Sequence, residues 1–429
     1  MRVQPRDVIR AFAPGPNLRR LLSRGAGASE QHLAPLDGMR ALALFWVIAC
    51  HTGWYAWSAL PPFRYRQLLR APWMLAFWRG DFAVEVFFVM SAFLIAGLIT
   101  DERTRTGTFR VGTFYARRLV RLWPTLVAAV LIELAFDVSS VDATLWPNVF
   151  YFNNLMPIAH VRMGWTWSLA IEEQFYLTVP WLLGVLRRAR ERLHAWRLDP
   201  VLVGIAIAML LQMAIAAAVI VACDLHPHDT EIAVDRAFPL WRTDYDLLYS
   251  KPWMRFGPLL VGVGCAHLYR KPGVMERLAR SGVRGGVVLV IALVLAVLTM
   301  HWPLFEGMPR WAEVAYMTTF RPIFGLAVGY GMLFVLTPHR LGAAIGRFLS
   351  LPLFFPFAQL AYCAYLVNPI VALRSHLWLA ADVRWMALPR AYLTMSGFDL
   401  LGTFAGAIVL SVLIERPSME LRKVLVPGR

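Results

Sequence analysis

Charge is scarce in this sequence, and its scarcity excludes an ordinary soluble fold. Only 16% of the 429 residues are charged, 58% are hydrophobic, and the mean hydropathy is +0.54. The apolar residues fall into continuous runs of about twenty, the length that spans a ~30 Å hydrocarbon core. Because the runs lack period-two alternation, they indicate helices rather than barrel strands. We therefore predict an all-α, polytopic integral membrane protein.

Cysteine is also scarce. The four cysteines have unrelated spacings that predict neither a disulfide framework nor a zinc site: Cys50, Cys223, Cys265 and Cys363. An HxH pair, His226 and His228, lacks further clustered ligands, so a solvated polar loop is the better interpretation. We predict no metal site.

Acidic residues are outnumbered, with 27 Asp and Glu against 43 Lys and Arg, for a net charge of +16. The basic residues lie mainly in short loops between apolar runs. This pattern is typical of the positive-inside rule and of attraction to anionic membrane lipid. It argues against nucleic acid as a partner.

The apolar runs predict about ten transmembrane helices. Their expected spans are residues 37–57, 80–100, 119–137, 167–186, 201–223, 254–269, 285–301, 313–336, 352–374 and 395–415. Lys and Arg are concentrated in the segments that face one side, so both termini are expected to be cytoplasmic. We predict a basic N-terminal arm (1–35) before an uncleaved first span, a transmembrane domain (36–417) and a short basic cytoplasmic tail (418–429).

The first span carries ionisable groups that are costly in a membrane: Asp37, Arg40 and His51. Arg40 and His51 are eleven residues apart, which places them on nearly one helix face, roughly 16 Å apart along the axis. Arg40 is expected near the cytoplasmic surface and His51 towards the outer half.

A second basic pair begins the third span, in FYARRLVRLWP (114–124). Arg118 and Arg121 are three residues apart and share a helix face. Positive-inside anchoring explains them without any function. A clamp for a phosphorylated cytoplasmic ligand is the functional alternative, since Arg forks suit phosphate oxygens.

Carboxylates also occur in predicted spans. In WSLAIEEQFY (167–176), Ser168, Glu172 and Tyr176 share one face, and Glu172 could either form a packing salt bridge or orient a catalytic imidazole. Glu85, in FAVEVFFVMSAFLIAGL (82–98), is more consistent with a structural role.

Together these stretches resemble the acyltransferase-3 family of integral membrane acyltransferases. The matching pieces, in the family's usual order, are LDGMRALALFWVIACH, EVFFVMSAFLI, YARRLVRLWP, WSLAIEEQFY, AYCAYLVNP and IERP, from Leu36 to Pro417. The resemblance implies a multi-pass protein of the cell membrane, with a bacterial inner membrane expected. It also implies acyl-CoA, usually acetyl-CoA, as a cytoplasmic donor substrate, no permanently bound cofactor, and a glycan or other hydroxyl acceptor on the other side.

By position, the family's functional residues match Arg40, His51, Arg118, Arg121, Trp167, Ser168 and Glu172. The sequence departs from the family at Ala361, which replaces Ser, and at Asn368, which replaces the usual His. Two smaller departures are Ala92 for Gly and Glu85 for the frequent Asp. Since Asn368 can hydrogen-bond but cannot accept a proton, no acid–base role is assigned to it.

The resulting hypothesis is acyl transfer from acyl-CoA to a hydroxyl group, with His51 as general base and Glu172 as its orienting partner. Arg40, Arg118 and Arg121 would hold the CoA phosphates. The residues expected to contact substrate or to support the site are Trp167, Ser168, Glu85 and Tyr176. An acyl-histidine intermediate is a competing mechanism, and a secondary transporter or lipid flippase is the competing function.

Overall fold

The computed structural model describes residues 11–22, 33–136, 145–192, 198–226, 243–301 and 307–426. These residues form α-helices joined by short 3-10 and π-helical turns, and no β-strand occurs among them. The predicted all-α class is confirmed.

Each predicted span coincides with a long helix. These long helices, between which shorter ones lie, are α1 (Pro35–Tyr55), α2 (Asp81–Thr106), α3 (Val111–Phe136), α4 (Trp167–Arg192), α5 (Pro200–Ala222), α6 (Pro252–Arg270), α7 (Gly282–Thr299), α8 (Arg310–Val335), α9 (Phe354–Val383) and α10 (Leu388–Leu410). A further helix, α11 (Arg416–Leu425), follows α10 through a π-helical turn, Ser411–Glu415.

Among the described residues, 7 helical stretches are long and apolar enough to cross a bilayer, and they contain α2, α3, α5, α7, α8, α9 and α10. Helices α1, α4 and α6 are as long as a span but carry more polar sequence, including the ionisable motif residues. The protein is therefore a multi-pass membrane protein, as predicted. The total of ten spans and the cytoplasmic termini stay predictions.

The chain packs into two compact units, of which the first contains residues up to Ala83, Arg110–Leu145 and Leu349 onward. Within it, Phe45 of α1 packs edge-on against Phe357 of α9 and Phe404 of α10, with ring centroids 5.0 and 5.7 Å away. Further along the same two helices, His51 of α1 meets Asn368 of α9, so α1 and α9 run in the same direction.

The second unit contains Val84–Phe109 and Trp146–Phe348, and so includes most of α2 and all of α4 to α8. Helices α6 and α8 approach closely because each places a glycine against an interior proline of the other. Gly257 lies against Pro322, and Gly325 lies against Pro258. A Cβ at either glycine would crowd the opposing ring, so the small residue sets the helix separation.

A polar cluster joins the start of α5 to the end of α6. The Asp199 carboxylate caps α5 by accepting from the Val201 amide at 3.0 Å. It also accepts from Lys271 at 2.6 Å and from His267 at 2.9 Å. Burial alone would raise the pKa of Asp199, but the hydrogen bonds from Lys271 and His267 outweigh it and hold the pKa well below its usual value.

Candidate active site

His51 lies half-buried on α1, where its imidazole contacts a side-chain amide of α9. The His51 Nδ1 atom is 2.6 Å from Asn368 Oδ1. The same amide donates through Nδ2 to Thr403 Oγ1 of α10 at 3.0 Å. Asn368 and Thr403 are both fully buried. Three helices of the first unit thus hold one side of the His51 ring.

This hydrogen bond defines which nitrogen of His51 can act as a base. An amide oxygen only accepts hydrogen bonds, so His51 Nδ1 carries the proton and donates to Asn368 Oδ1. The lone pair is therefore on Nε2, and no described residue hydrogen-bonds that nitrogen. A neutral imidazole in this tautomer is arranged to take a proton from a substrate.

A second buried polar network begins at the residue after His51. Asp399 of α10 accepts from Thr52 Oγ1 at 2.6 Å, from Ser375 Oγ at 2.6 Å and from His376 Nε2 at 3.0 Å. Both members of the His376–Asp399 pair have fully buried side chains. The network ties α1 to α9 and α10 directly beside His51 and thereby stabilises the helix positions that the His51–Asn368 contact needs.

The three arginines expected to bind the donor belong to the same unit as His51. Arg40 is half-buried on α1, and Arg118 and Arg121 are half-buried on α3. The Arg118 guanidinium lies 5.9 Å from the centroid of the Phe114 ring. The Nε atom of Arg121 is buried, and no described residue hydrogen-bonds it. Their binding of a donor stays a prediction.

Glu85 is the centre of a buried ion cluster in the second unit. Its Oε1 accepts from Nη1 of Arg255 and, at 2.6 Å, from Nη1 of Arg321. The Arg255 guanidinium also lies 4.3 Å from the ring centroids of both Trp167 and Tyr249. Glu85 and Trp167 therefore support the packing of α2, α4, α6 and α8.

The remaining residues of the WSLAIEEQFY stretch belong to this second unit as well. The Tyr176 hydroxyl hydrogen-bonds the Ser91 hydroxyl, which links α4 to α2. Ser168 is buried. Glu172 is on α4 and belongs to a different unit from His51, so the predicted pairing of Glu172 with His51 stays a prediction.

Sequence reasoning missed three residues around His51: Thr403, His376 and Asp399. Asp399 lies inside a predicted span, so the rule that flagged Arg40 and His51 also applies to it. His376 lies just beyond the predicted end of the ninth span, whereas α9 continues to Val383. Thr403 carried no signal, because a lone threonine in a span is common.

Comparison with known proteins decides the family. Residues 33–416 match the family model of the acyltransferase-3 family, described as an acyltransferase domain. The chain belongs to the acyltransferase-3 family. The matched range includes His51, the arginine pair on α3 and the WSLAIEEQFY stretch, so the resemblance stated from the motifs is confirmed.

Two curated relatives in this family extend the comparison. Nose resistant to fluoxetine protein 6 of Caenorhabditis elegans is 22% identical over 390 residues, which are 80% of this chain and 45% of that protein. O-acetyltransferase OatA of Staphylococcus aureus (strain NCTC 8325 / PS 47) is 31% identical over 180 residues, 37% of this chain and 26% of that protein. The chain thus spans less than half the length of these relatives. No solved structure matches it.

Proposed function

We propose that this protein transfers an acyl group, with acetyl the expected case, from cytoplasmic acyl-CoA to a hydroxyl group of an acceptor beyond the membrane, such as a cell-surface glycan. Membership of the acyltransferase-3 family supports the acyl transfer, and similarity to a protein named an O-acetyltransferase supports acetyl and a hydroxyl acceptor. The observation that carries the chemistry is the hydrogen bond from His51 Nδ1 to Asn368, which leaves Nε2 as the basic nitrogen.

In the proposed reaction, His51 Nε2 takes the proton of the acceptor hydroxyl while its oxygen bonds to the thioester carbonyl carbon. The tetrahedral intermediate then collapses, the carbon–sulfur bond breaks, and the leaving CoA thiolate receives the proton from the imidazolium. Asn368 Oδ1 accepts the hydrogen bond from Nδ1–H throughout, so the ring begins and ends the cycle in the same tautomer. No proton is gained or lost overall.

Donor binding is assigned to Arg40, Arg118 and Arg121, whose guanidinium groups suit the phosphates of CoA. Their common unit with His51 supports this assignment. Eleven residues separate Arg40 from His51 on α1, roughly 16 Å of helix, and the pantetheine arm of CoA would cover a distance of that order.

The experiment that tests the function uses purified protein in lipid vesicles with acetyl-CoA labelled in the acetyl group. Labelled acetyl ester should form on a hydroxyl acceptor, and CoA should be released in equal amount. A transporter or flippase would leave the thioester intact. No transfer to any of a panel of glycan and small hydroxyl acceptors, and no hydrolysis of acetyl-CoA, would refute the proposal.

A second measurement separates direct transfer from the acyl-histidine route. Without acceptor, the direct route leaves no label on the protein, because the acetyl group passes from CoA to the acceptor without bonding to the protein. The acyl-histidine route leaves one labelled imidazole, which His51→Gln removes. His301→Gln is the matched control, since His301 is a partly exposed histidine just after α7 whose side chain hydrogen-bonds the Val297 carbonyl.

A further inference from the structure

The C-terminal helix α11 packs against α3 and brings additional arginines to the pair Arg118 and Arg121. Arg117 Nε of α3 donates to the carbonyl of Val426, directly after α11, at 3.1 Å. Arg422 of α11 lies within electrostatic range of Arg117, Arg118 and Arg121. Two helices that are far apart in sequence thus form one basic surface.

Arg416, the first residue of α11, belongs to the same surface. It lies within electrostatic range of Arg121, and its only hydrogen bond among the described residues is to the neutral amide of Gln359, at 3.0 Å. The Nε atoms of Arg416 and Arg121 are both buried, and no described residue hydrogen-bonds either.

The carboxylates closest in sequence, Glu415 and Glu420, lie within electrostatic range of Arg416 and Arg422 but form no salt bridge with them. Glu420 accepts from Arg20 at 2.8 Å and from Lys423 at 2.8 Å. Glu415 is buried and accepts from Ser411 Oγ at 2.7 Å. Within the described part of the chain, Arg121, Arg416 and Arg422 make no salt bridge. Clustered guanidinium groups that outnumber the carboxylates beside them attract a polyanion, since each fork can bind phosphate oxygens.

The distance along α9 between this basic surface and His51 matches the length of one ligand. Arg416 hydrogen-bonds Gln359, and His51 hydrogen-bonds Asn368; Gln359 and Asn368 both lie on α9. From Gln359 to Asn368 is nine residues, roughly 13.5 Å along the helix. The pantetheine arm of CoA has about twelve chain bonds between pyrophosphate and sulfur, equivalent to four extended peptide residues or roughly 14 Å.

We propose that Arg416 and Arg422 of α11 complete, with Arg118 and Arg121 of α3, a single site for phosphate groups, and that its occupant is the phosphate-bearing end of the acyl-CoA donor. This inference rests on the proposed function. It makes the predicted basic tail a part of the donor site.

The test compares two donors in the purified full-length protein. Arg416→Gln and Arg422→Gln should each raise the KM for acetyl-CoA by about tenfold or more, because a charge-assisted contact to phosphate is lost. The kcat should change little. With S-acetylpantetheine, which lacks the phosphates, both variants should match the wild-type KM. Lys423→Gln is the matched control, since it removes an exposed charge from the same helix.

Three results would overturn the inference: an unchanged KM for acetyl-CoA in both variants, an equal rise with both donors, or an equal rise in Lys423→Gln. If Arg416→Gln does not fold, Arg422→Gln decides. A wild type that transfers acetyl from neither donor refutes the proposed function instead.

An anionic lipid is the other source of phosphate, and a thermal-stability arm distinguishes it. Wild type and Arg422→Gln are compared in phosphatidylcholine vesicles with and without phosphatidylglycerol. If the variant loses only the stabilisation by phosphatidylglycerol and keeps the wild-type KM, the site binds lipid and the donor assignment is wrong. If stabilisation is equal in both proteins and the KM rises, the donor is the occupant.

Discussion

Asn368 offers the sharpest perturbation of the proposed chemistry, because it touches His51 without touching the reacting atoms. Asn368→Leu introduces an apolar side chain of similar size and removes the oxygen that accepts from His51 Nδ1 at 2.6 Å. The Nδ1 proton is then buried without an acceptor, and the ring can exchange its proton to Nε2, the nitrogen that must stay basic.

The magnitude follows from the contact that is lost. A net hydrogen bond contributes about 0.5–1.5 kcal/mol, and an unsatisfied buried donor costs about 1–3 kcal/mol. If this loss raises the activation free energy by about 1.4–2.7 kcal/mol, kcat drops by about 10–100-fold. The KM for acetyl-CoA should change little, because Asn368 is assigned no role in donor binding.

Asn368→Asp gives the complementary result. A carboxylate still accepts from Nδ1, so activity should be largely retained. Its negative charge stabilises the imidazolium, so the pH at which the rate rises should move upward. The assay is kcat against pH with labelled acetyl-CoA. Asn148→Leu is the matched control, since Asn148 is a buried amide that bonds Met163 and Thr166 in the second unit.

Two outcomes would refute this reasoning. Full kcat in Asn368→Leu would mean that the amide does not position His51. A loss in Asn368→Asp equal to that in Asn368→Leu would mean that the native amide donates to His51 through its nitrogen. That result would reverse the assigned tautomer.

Three further predictions concern stability in detergent. Glu85→Gln should lower the unfolding free energy by about 3–5 kcal/mol, because two buried arginines lose their shared counter-charge; an unchanged Tm would contradict the buried ion cluster. Asp199→Asn should cost about 1 kcal/mol near neutral pH, because the charge that pairs with Lys271 and His267 is lost while the amide oxygen can still cap α5. Because the pKa of Asp199 is low in the folded protein, its ionic stabilisation is present at neutral pH and is lost as the pH falls through the folded-state pKa. The Tm difference between wild type and Asp199→Asn should therefore shrink on acidification. A Tm difference that grew would contradict the ionic contacts of Asp199. Tyr176→Phe should cost about 0.5–1.5 kcal/mol by removing the bond to Ser91 without changing the KM for acetyl-CoA, and a raised KM would instead place Tyr176 at the donor.

The helices were predictable from the sequence because the bilayer imposes a length on every apolar run. Each expected span coincides with one long helix, and His51 was found because an ionisable group inside such a run is costly. The same rule would have identified Asp399, whose carboxylate lies in the tenth expected span. Local pattern therefore predicts which residues are unusual.

The partners of those residues were not predictable, because they depend on helix packing across large sequence separations. His51 and Asn368 are 317 residues apart, and Glu85 and Arg321 are 236 apart. Asn368 could be identified as a departure from the family pattern, but its role needed the contact with His51. Arg422 matched no motif, and only the packing of α11 on α3 gives it a candidate role.

The most direct test of the account is the kcat/KM of purified His51→Gln for acetyl transfer from acetyl-CoA, measured beside wild type and His301→Gln at equal protein concentration. If His51 is the general base, its loss should lower kcat/KM by about 10²–10⁴-fold while Tm stays near that of wild type. His301→Gln should match wild type. Activity of His51→Gln comparable to wild type would contradict the central claim.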